Sequence, residues 1–302
     1  MVVTSIIVTT HNRPHLLGRA VESARTAGTA IELIVVDDAS SDATASMCRA
    51  LPGIKYVRLE RNQRVAGARN IGLLASSGQY VTFLDDDDLR LPGSLDEQVQ
   101  LLAANDQAGL VYGQAVVKDG STEQVYPSSC PKGEVFWNLV AQNFIPCGSV
   151  VFRRSCLERV GLLDSYLAGL DDWDLWIRIA SLYAVVVVEK PVLIWRRSTP
   201  VSEQGTSQAA SIVSRAVQQF QSRWMKLPPA VSGTAEMRRS AWQQFSTNMA
   251  AHLIWETIRS LNHRDARQAA RNISTVAGVG PIAVGRVARR YLQLRSAERN
   301  VI

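Results

Sequence analysis

The chain has 302 residues, 46% of them apolar, and a formal net charge of +6. That length and composition predict one large or two ordinary folded domains and exclude a disordered chain. Four cysteines, Cys48, Cys130, Cys147 and Cys156, lie far apart with no C-x-x-C spacing, which argues against a zinc site or a disulfide scaffold and suits a reducing interior.

The first residues lack a basic n-region and a small-residue cleavage site, so they read as a strand at 4–9 rather than a signal peptide, and predict a cytoplasmic protein. Thr10-His11-Asn12-Arg13-Pro14 then turns into a helix whose apolar positions Leu16, Leu17, Ala20, Val21 and Ala24 follow helical spacing. This turn has no G-x-G-x-x-G, so a dinucleotide fingerprint is missing. A second strand at 31–36 ends in Asp37-Asp38-Ala39-Ser40, and Asp42 is placed to N-cap the helix that follows. A third strand at 54–59 and a helix at 65–76 lead to a fourth strand at 80–84. The order βαβαβαβ with short connections predicts a mostly parallel sheet with helices on both faces. Its strand ends near Thr9, Asp38 and Asp85 should share one edge, where open α/β sheets bind ligands.

The fourth strand stops in Asp85-Asp86-Asp87-Asp88. Four adjacent carboxylates repel one another and call for a cation. Oxygen donors without Cys or His favour a hard ion, Mn2+ or Mg2+, whose shell is typically completed by substrate phosphates and water. Together with Asp38, such an edge suits a nucleoside diphosphate, one carboxylate accepting from base or ribose and another holding the metal.

Beyond the acids, Pro92 belongs in the first turn of a helix at 91–104, and 109–117 and 123–126 form a hairpin turning at Lys118-Asp119-Gly120-Ser121. A helix at 134–141 and a strand running through Phe152 follow. The apolar stretch 184–195 is broken by Glu189, Lys190 and Pro191, well short of the ~20 residues that span a bilayer. Before it lies Asp171-Asp172-Trp173-Asp174-Leu175-Trp176, a second acidic cluster. At helical spacing Asp172 shares a face with Leu175, Trp176 and Ile179, while Asp174 and Arg178 pair on another face as a surface salt bridge. Asp171 suits an N-cap or first-turn acid. Desolvation on the apolar face raises the pKa of Asp172 and the helix N-terminus lowers it, so Asp172 is a candidate general base, with an ordinary capping role as the alternative. Tyr112, Trp137, Phe144 and Trp173 are candidate stacking surfaces or core.

Five segments in this order, Ser5 through Arg13, Val35 through Ser40, Gly67-Ala68-Arg69-Asn70-Ile71-Gly72, Phe83 through Asp88 and Asp171 through Trp176, resemble the family 2 glycosyltransferases of the GT-A fold across residues 4–195. The resemblance implies a Rossmann-like, mostly parallel sheet with an acceptor-side mixed α/β part and a C-terminal helical region. It implies metal-dependent, inverting transfer of a sugar from a UDP-, dTDP- or GDP-sugar to a hydroxyl of a growing glycan, a lipid-linked saccharide or another glycoconjugate. By that likeness Thr9 and Asp38 embrace the base, His11 and Arg13 also bind the nucleotide sugar, Arg69 lies beside the nucleotide, and Asp85 or Asp86 reaches the ribose. Asp87 is the expected metal ligand with Asp85, and Asp172 the base beside Asp171, which replaces the family's usual Glu. On this reading 1–105 is the nucleotide-sugar-binding half, 106–204 the acceptor-binding and catalytic-base half, and 205–302 a basic helical region. A nucleotidyltransferase and a non-catalytic nucleotide-sugar-binding scaffold are the alternatives; the first has no need of Asp172, and the second would show no turnover.

The stretch 196–207 reads as a linker or a candidate lid. Helices are predicted at 209–225, 234–261, 265–276 and 282–294, and Trp224 in Gln221-Ser222-Arg223-Trp224 is read as helix core rather than a Q-x-x-R-W motif. From Gly205 onward there are 14 Lys or Arg against 4 Asp or Glu, so the tail carries +10 and the rest −4. The last predicted helix sets Val284, Val287, Ala288, Tyr291 and Leu294 opposite Arg286, Arg289 and Arg290, a pattern for peripheral contact with the inner face of a membrane, for packing on its own domain, or for a homodimer. No nucleic-acid motif accompanies the charge, so nucleic acid is not an expected partner.

Overall fold

The computed structural model describes residues 4–196, 209–280 and 282–289. The chain divides into two compact units, residues 1–136 with 143–202, and residues 137–142 with 203–302.

In the first unit, β1 (Thr4–Thr10) is paired in parallel with β2 (Ile31–Asp37) and β4 (Tyr80–Asp85), and β2 is paired in parallel with β3 (Lys55–Arg58). The connecting helices are α1 (Pro14–Thr26), α2 (Thr44–Ala50) and α3 (Arg64–Ala75). Ile6, Ile7, Val8, Ile34, Val35, Val36, Val81, Phe83 and Leu84 are all at most 1% exposed, as the unbroken apolar runs require of a sheet covered on both sides. The register sets Thr9 opposite Asp85 and Thr10 opposite Asp37, which brings the expected strand ends to one edge.

The sheet continues through β8 (Val150–Arg153), antiparallel to β4, then β6 (Ala108–Asp119) and β9 (Ala184–Arg196), ending on β5 (Leu89–Arg90). β7 (Thr122–Tyr126) is the second arm of the expected hairpin on β6. The stretch 184–196 is thus a long strand parallel to β6. Pro92 falls outside α4 (Ser94–Ala103), because Gly93 takes the left-handed conformation at φ 69° and starts the helix one step later. Asp42 is one residue short of the N-cap of α2, and its carboxylate accepts from Thr44 N. The remaining helices of this unit are α6 (Cys156–Val160) and α7 (Asp171–Ala180), and α5 (Phe136–Ala141) falls in the second unit from Trp137 onward.

Gly72 explains part of the third motif. A Cβ there would lie 2.3 Å from Ile7 Cγ2 and 3.3 Å from Val36 Cγ2, so glycine lets α3 rest directly on β1 and β2. Gly72→Ala is expected to destabilise the protein by about 1–3 kcal/mol, the range for overpacking a tight core, as read from chemical denaturation midpoints.

Arg90 is a buried cation, 2% exposed, and burial lowers its pKa to about 9. It donates to Gln98 Oε1 at 2.6 Å, to Thr82 Oγ1 and to the Val150 carbonyl at 2.9 Å, while Gln98 donates to the Ser149 carbonyl. These bonds tie β4, α4 and the start of β8 together just behind the acidic turn.

The second unit is helical: α8 (Ala209–Ser222), α9 (Pro228–Ser232), α10 (Ala235–Asn262) and α11 (Ala266–Val279), with residues 282–289 also helical. Trp224 is fully buried and meets the Phe245 ring edge-on at 6.2 Å, as its reading as core requires. Ala283 and Val287 pack against Ala209, Val213, Leu253 and Val279. The rest of the last predicted helix, from Arg290, and the 197–207 part of the linker or lid lie outside the described residues. No helix among the described residues is long and apolar enough to cross a membrane.

Candidate active site

The residues expected at the nucleotide, the metal and the base lie at the strand ends of the first unit, on α3 or on α7. Asp85 closes β4, and the chain turns so that Asp88 N donates to the Asp85 carbonyl at 3.1 Å. This turn brings carboxylate oxygens of Asp85, Asp87 and Asp88 within 4.8 Å of one another, a hard three-oxygen donor set that fits Mn2+ or Mg2+. Asp88 was not in the expected ligand pair; the four-acid run was the only signal for it. Burial, reinforced by the charges of Asp85 and Asp86, raises Asp87 to about 6, and burial raises Asp88 well above the carboxylate range. Protein cations leave this cluster short of positive charge.

Asp86 points elsewhere. Its Oδ2 accepts from Thr10 Oγ1 at 2.7 Å and its Oδ1 from Arg13 Nη1 at 3.1 Å; the same Nη1 lies 3.4 Å from Asp87 Oδ2. Arg13, expected to bind the nucleotide sugar, leans on the acidic turn and binds two of its carboxylates. His11 Nδ1 lies 2.7 Å from the Asp38 carbonyl, and Asp38 Oδ1 accepts from Gln63 N at 2.6 Å. Asp37 has no exposed surface and accepts from Ser40 N and the Tyr56 hydroxyl, so it braces the loop after β2. Thr9 is 8% exposed and lies across from Asp85 in the ladder.

Arg69 joins the two acidic clusters. It is 4% exposed, and its guanidinium donates to Asp85 Oδ1 at 2.7 Å and to Asp171 Oδ2 at 2.9 Å, with its charge 5.3 Å from the centre of the Phe83 ring. Asn70 beside it makes a two-way clamp, donating to the Leu163 carbonyl at 2.8 Å and accepting from Leu163 N at 3.0 Å. The motif at 67–72 therefore fastens the connector that leads into α7.

Asp171 is not the N-cap of α7, which is Leu170; its carboxylate is taken by Arg69. Asp174 and Arg178 do not form the expected surface pair. They are 0% and 4% exposed, 2.8 Å apart, and Arg178 also donates to the carbonyls of Val160, Gly161 and Leu162. The reason is that α7 is buried nearly all round, and Arg178 satisfies the open carbonyls where α6 ends. Tyr112, Phe144 and Trp173 are buried core rings, and Trp137 is half-buried.

Asp172 is half-buried, and its Oδ1 accepts from Trp173 N at 2.7 Å. Burial, then the neighbouring charge of Asp171, raises it to about 7 against the pull of Arg69. A carboxylate that titrates near neutrality beside the Arg69-linked acidic clusters is matched to proton abstraction.

Residues 5–161, more than half of the chain, match the family described as glycosyl transferase family 2. The chain belongs to that family. Its relatives include a Campylobacter jejuni protein named GalNAc(5)-diNAcBac-PP-undecaprenol beta-1,3-glucosyltransferase, 38% identical over 190 residues. That alignment covers 58% of this chain and 59% of the relative, so the chain spans about three fifths of its length. Among solved structures, S. aureus TarS 1-349 in complex with UDP-GlcNAc superposes with a TM-score of 0.57 at 15% identity, over 92% of this chain and 90% of that one. The mannosyltransferase PcManGT from Pyrobaculum calidifontis, in complex with GDP-Man and Mn2+, gives 0.56 at 20% identity over 99% and 86%. At such identities the likeness concerns the fold, which is the GT-A fold of glycosyltransferases.

Proposed function

We propose that this family 2 glycosyltransferase moves a sugar from a nucleoside diphosphate sugar to an acceptor hydroxyl with inversion. The observation that carries the reading is the bridge of Arg69 between Asp85 and Asp171, which couples a three-carboxylate turn to a helix start bearing a neutral-range carboxylate. Asp85, Asp87 and Asp88 would hold Mn2+ or Mg2+, which when bound neutralises charge on the diphosphate. Asp38, Thr9 and His11 line the base side, Arg13 and Arg69 the nucleotide, and Asp86 or Asp85 the ribose.

In the reaction Asp172 takes the acceptor hydroxyl's proton as that oxygen bonds to the anomeric carbon. The bond from that carbon to the diphosphate oxygen breaks, and its electron pair leaves with the diphosphate. A single displacement inverts the anomeric centre. Residues 1–105 serve the donor and 106–204 the acceptor. A lipid-linked saccharide is the acceptor class we favour, since the Campylobacter relative is named for one. The exposed Trp255, Ile258 and Leu261 on α10, beside a tail with a +10 excess, support contact with an anionic membrane surface.

Calorimetric titration of UDP, dTDP and GDP, each with Mn2+ and with chelator, tests the reading. Metal-dependent binding of one diphosphate that disappears in Asp87→Ala is expected. If none of the three binds the wild type, the acidic edge is not a donor site and a scaffold role takes its place.

A further inference from the structure

Arg196 is the last residue of β9 and reaches the acidic turn from the far side of the sheet order. Its backbone N–H donates to Asp88 Oδ1 at 3.0 Å, and its Nε donates to the Asp87 carbonyl. Two contacts thus fix the guanidinium beside the candidate metal ligands. Its Nη2 is nonetheless buried and has no hydrogen-bond partner.

A charged N–H group withheld from both water and protein forfeits a bond that charged donors otherwise make strongly, so this orphan marks the position of a missing acceptor. The charge of Arg19, exposed on α1, bears unfavourably on Arg196, while those of Asp88, Asp87 and Asp86 favour it and hold the guanidinium at the turn. The carboxylates of the turn have partners of their own or belong to the cation site, so the acceptor for this N–H comes from outside the chain. The position within the site narrows that acceptor. Arg196 touches Asp87 and Asp88, whereas the base-side group Asp38 is bonded to His11 and Gln63.

We propose that Arg196 donates its free Nη2–H to a non-bridging oxygen of the diphosphate in the bound nucleotide sugar. This inference rests on the donor-site reading above and adds a residue to it. The guanidinium then opposes the charge that gathers on the departing diphosphate, at the opposite end of the reacting bond from Asp172. The acceptor belongs to the phosphate next to the sugar, which a nucleoside monophosphate and a free nucleoside lack, so neither gains from this bond.

The test compares wild type, Arg196→Met and Arg196→Lys by calorimetry with the nucleoside diphosphate that the wild type binds, with its monophosphate, and with Mn2+ alone followed by electron paramagnetic resonance. Arg196→Met should weaken the diphosphate on the order of 10- to 100-fold, the worth of one charge-assisted hydrogen bond, and leave the monophosphate within about 2-fold. Mn2+ alone should bind it no more weakly than the wild type, because a cation beside the ligands has been removed. Arg196→Lys should recover part of the diphosphate affinity through its charge. Unchanged diphosphate affinity in Arg196→Met overturns the proposal. So does a parallel loss for monophosphate or for Mn2+, which would mean that Arg196 only shapes the Asp87–Asp88 turn. Failure of the wild type to bind any diphosphate would overturn the donor-site reading itself, and this inference with it.

Discussion

Asp172→Asn is expected to lower kcat by about 10²–10⁴-fold while diphosphate binding persists, because the amide keeps the shape and loses the proton acceptor. Single-turnover assays with the donor and acceptor, paired with calorimetry, separate the two effects. In the wild type kcat/KM should fall as pH drops through about 7, since protonation removes the base. Stability should move the other way. The folded-state pKa of Asp172 is raised above its unfolded value, so the folded protein binds the proton more tightly and the ionised carboxylate destabilises it above pH 7. Asp172→Asn should therefore raise the melting temperature at pH 8 and lose that advantage progressively as pH falls from about 7 toward about 4, the unfolded value. A variant that retains full turnover, or one that is less stable than wild type at pH 8, would contradict the assignment of a desolvated base.

Arg69→Met should produce the largest loss of stability, about 3–5 kcal/mol, the range for removing one partner of a buried ion pair. Asp85 and Asp171 would be left facing each other without the guanidinium that both now contact. Burial already raises Asp171 against the pull of Arg69, so without the guanidinium it would rise further, and the deficit should shrink as the pH is lowered and this carboxylate takes up a proton. Urea titrations at pH 5.5 and pH 8 measure it. Arg69→Lys should rescue little, because a single ammonium does not reach two carboxylates in the forked geometry. Equal stability of Arg69→Met and wild type at pH 8 would show that the bridge carries no weight.

Much of this architecture was legible in the chain itself. Apolar runs of strand length at residues 4–9, 31–36 and 80–84, separated by amphipathic helical stretches, determined a parallel sheet and therefore a shared edge for Thr9, Asp38 and Asp85. The acid runs at 85–88 and 171–174 announced themselves by density. Periodicity misled where its premise failed: Asp174 and Arg178 have the spacing of a surface pair, but α7 is buried nearly all round, and the pair is buried against the end of α6. The two-residue strand β5 was too short to show a period at all.

What remained for the tertiary structure was partner choice across long sequence distances. Asp171 reads locally as a helix-start acid, yet its carboxylate goes to Arg69, 102 residues earlier. Arg196 reads as the start of a polar linker, yet β9 carries it 109 residues back to the Asp87 carbonyl. By itself the sequence determined which faces are apolar and where acids gather, because both are set by neighbours within a few residues. Which cation meets which carboxylate, and which donor is left free for a ligand, depends on how strands from distant parts of the chain lie side by side, and only the folded sheet decides that.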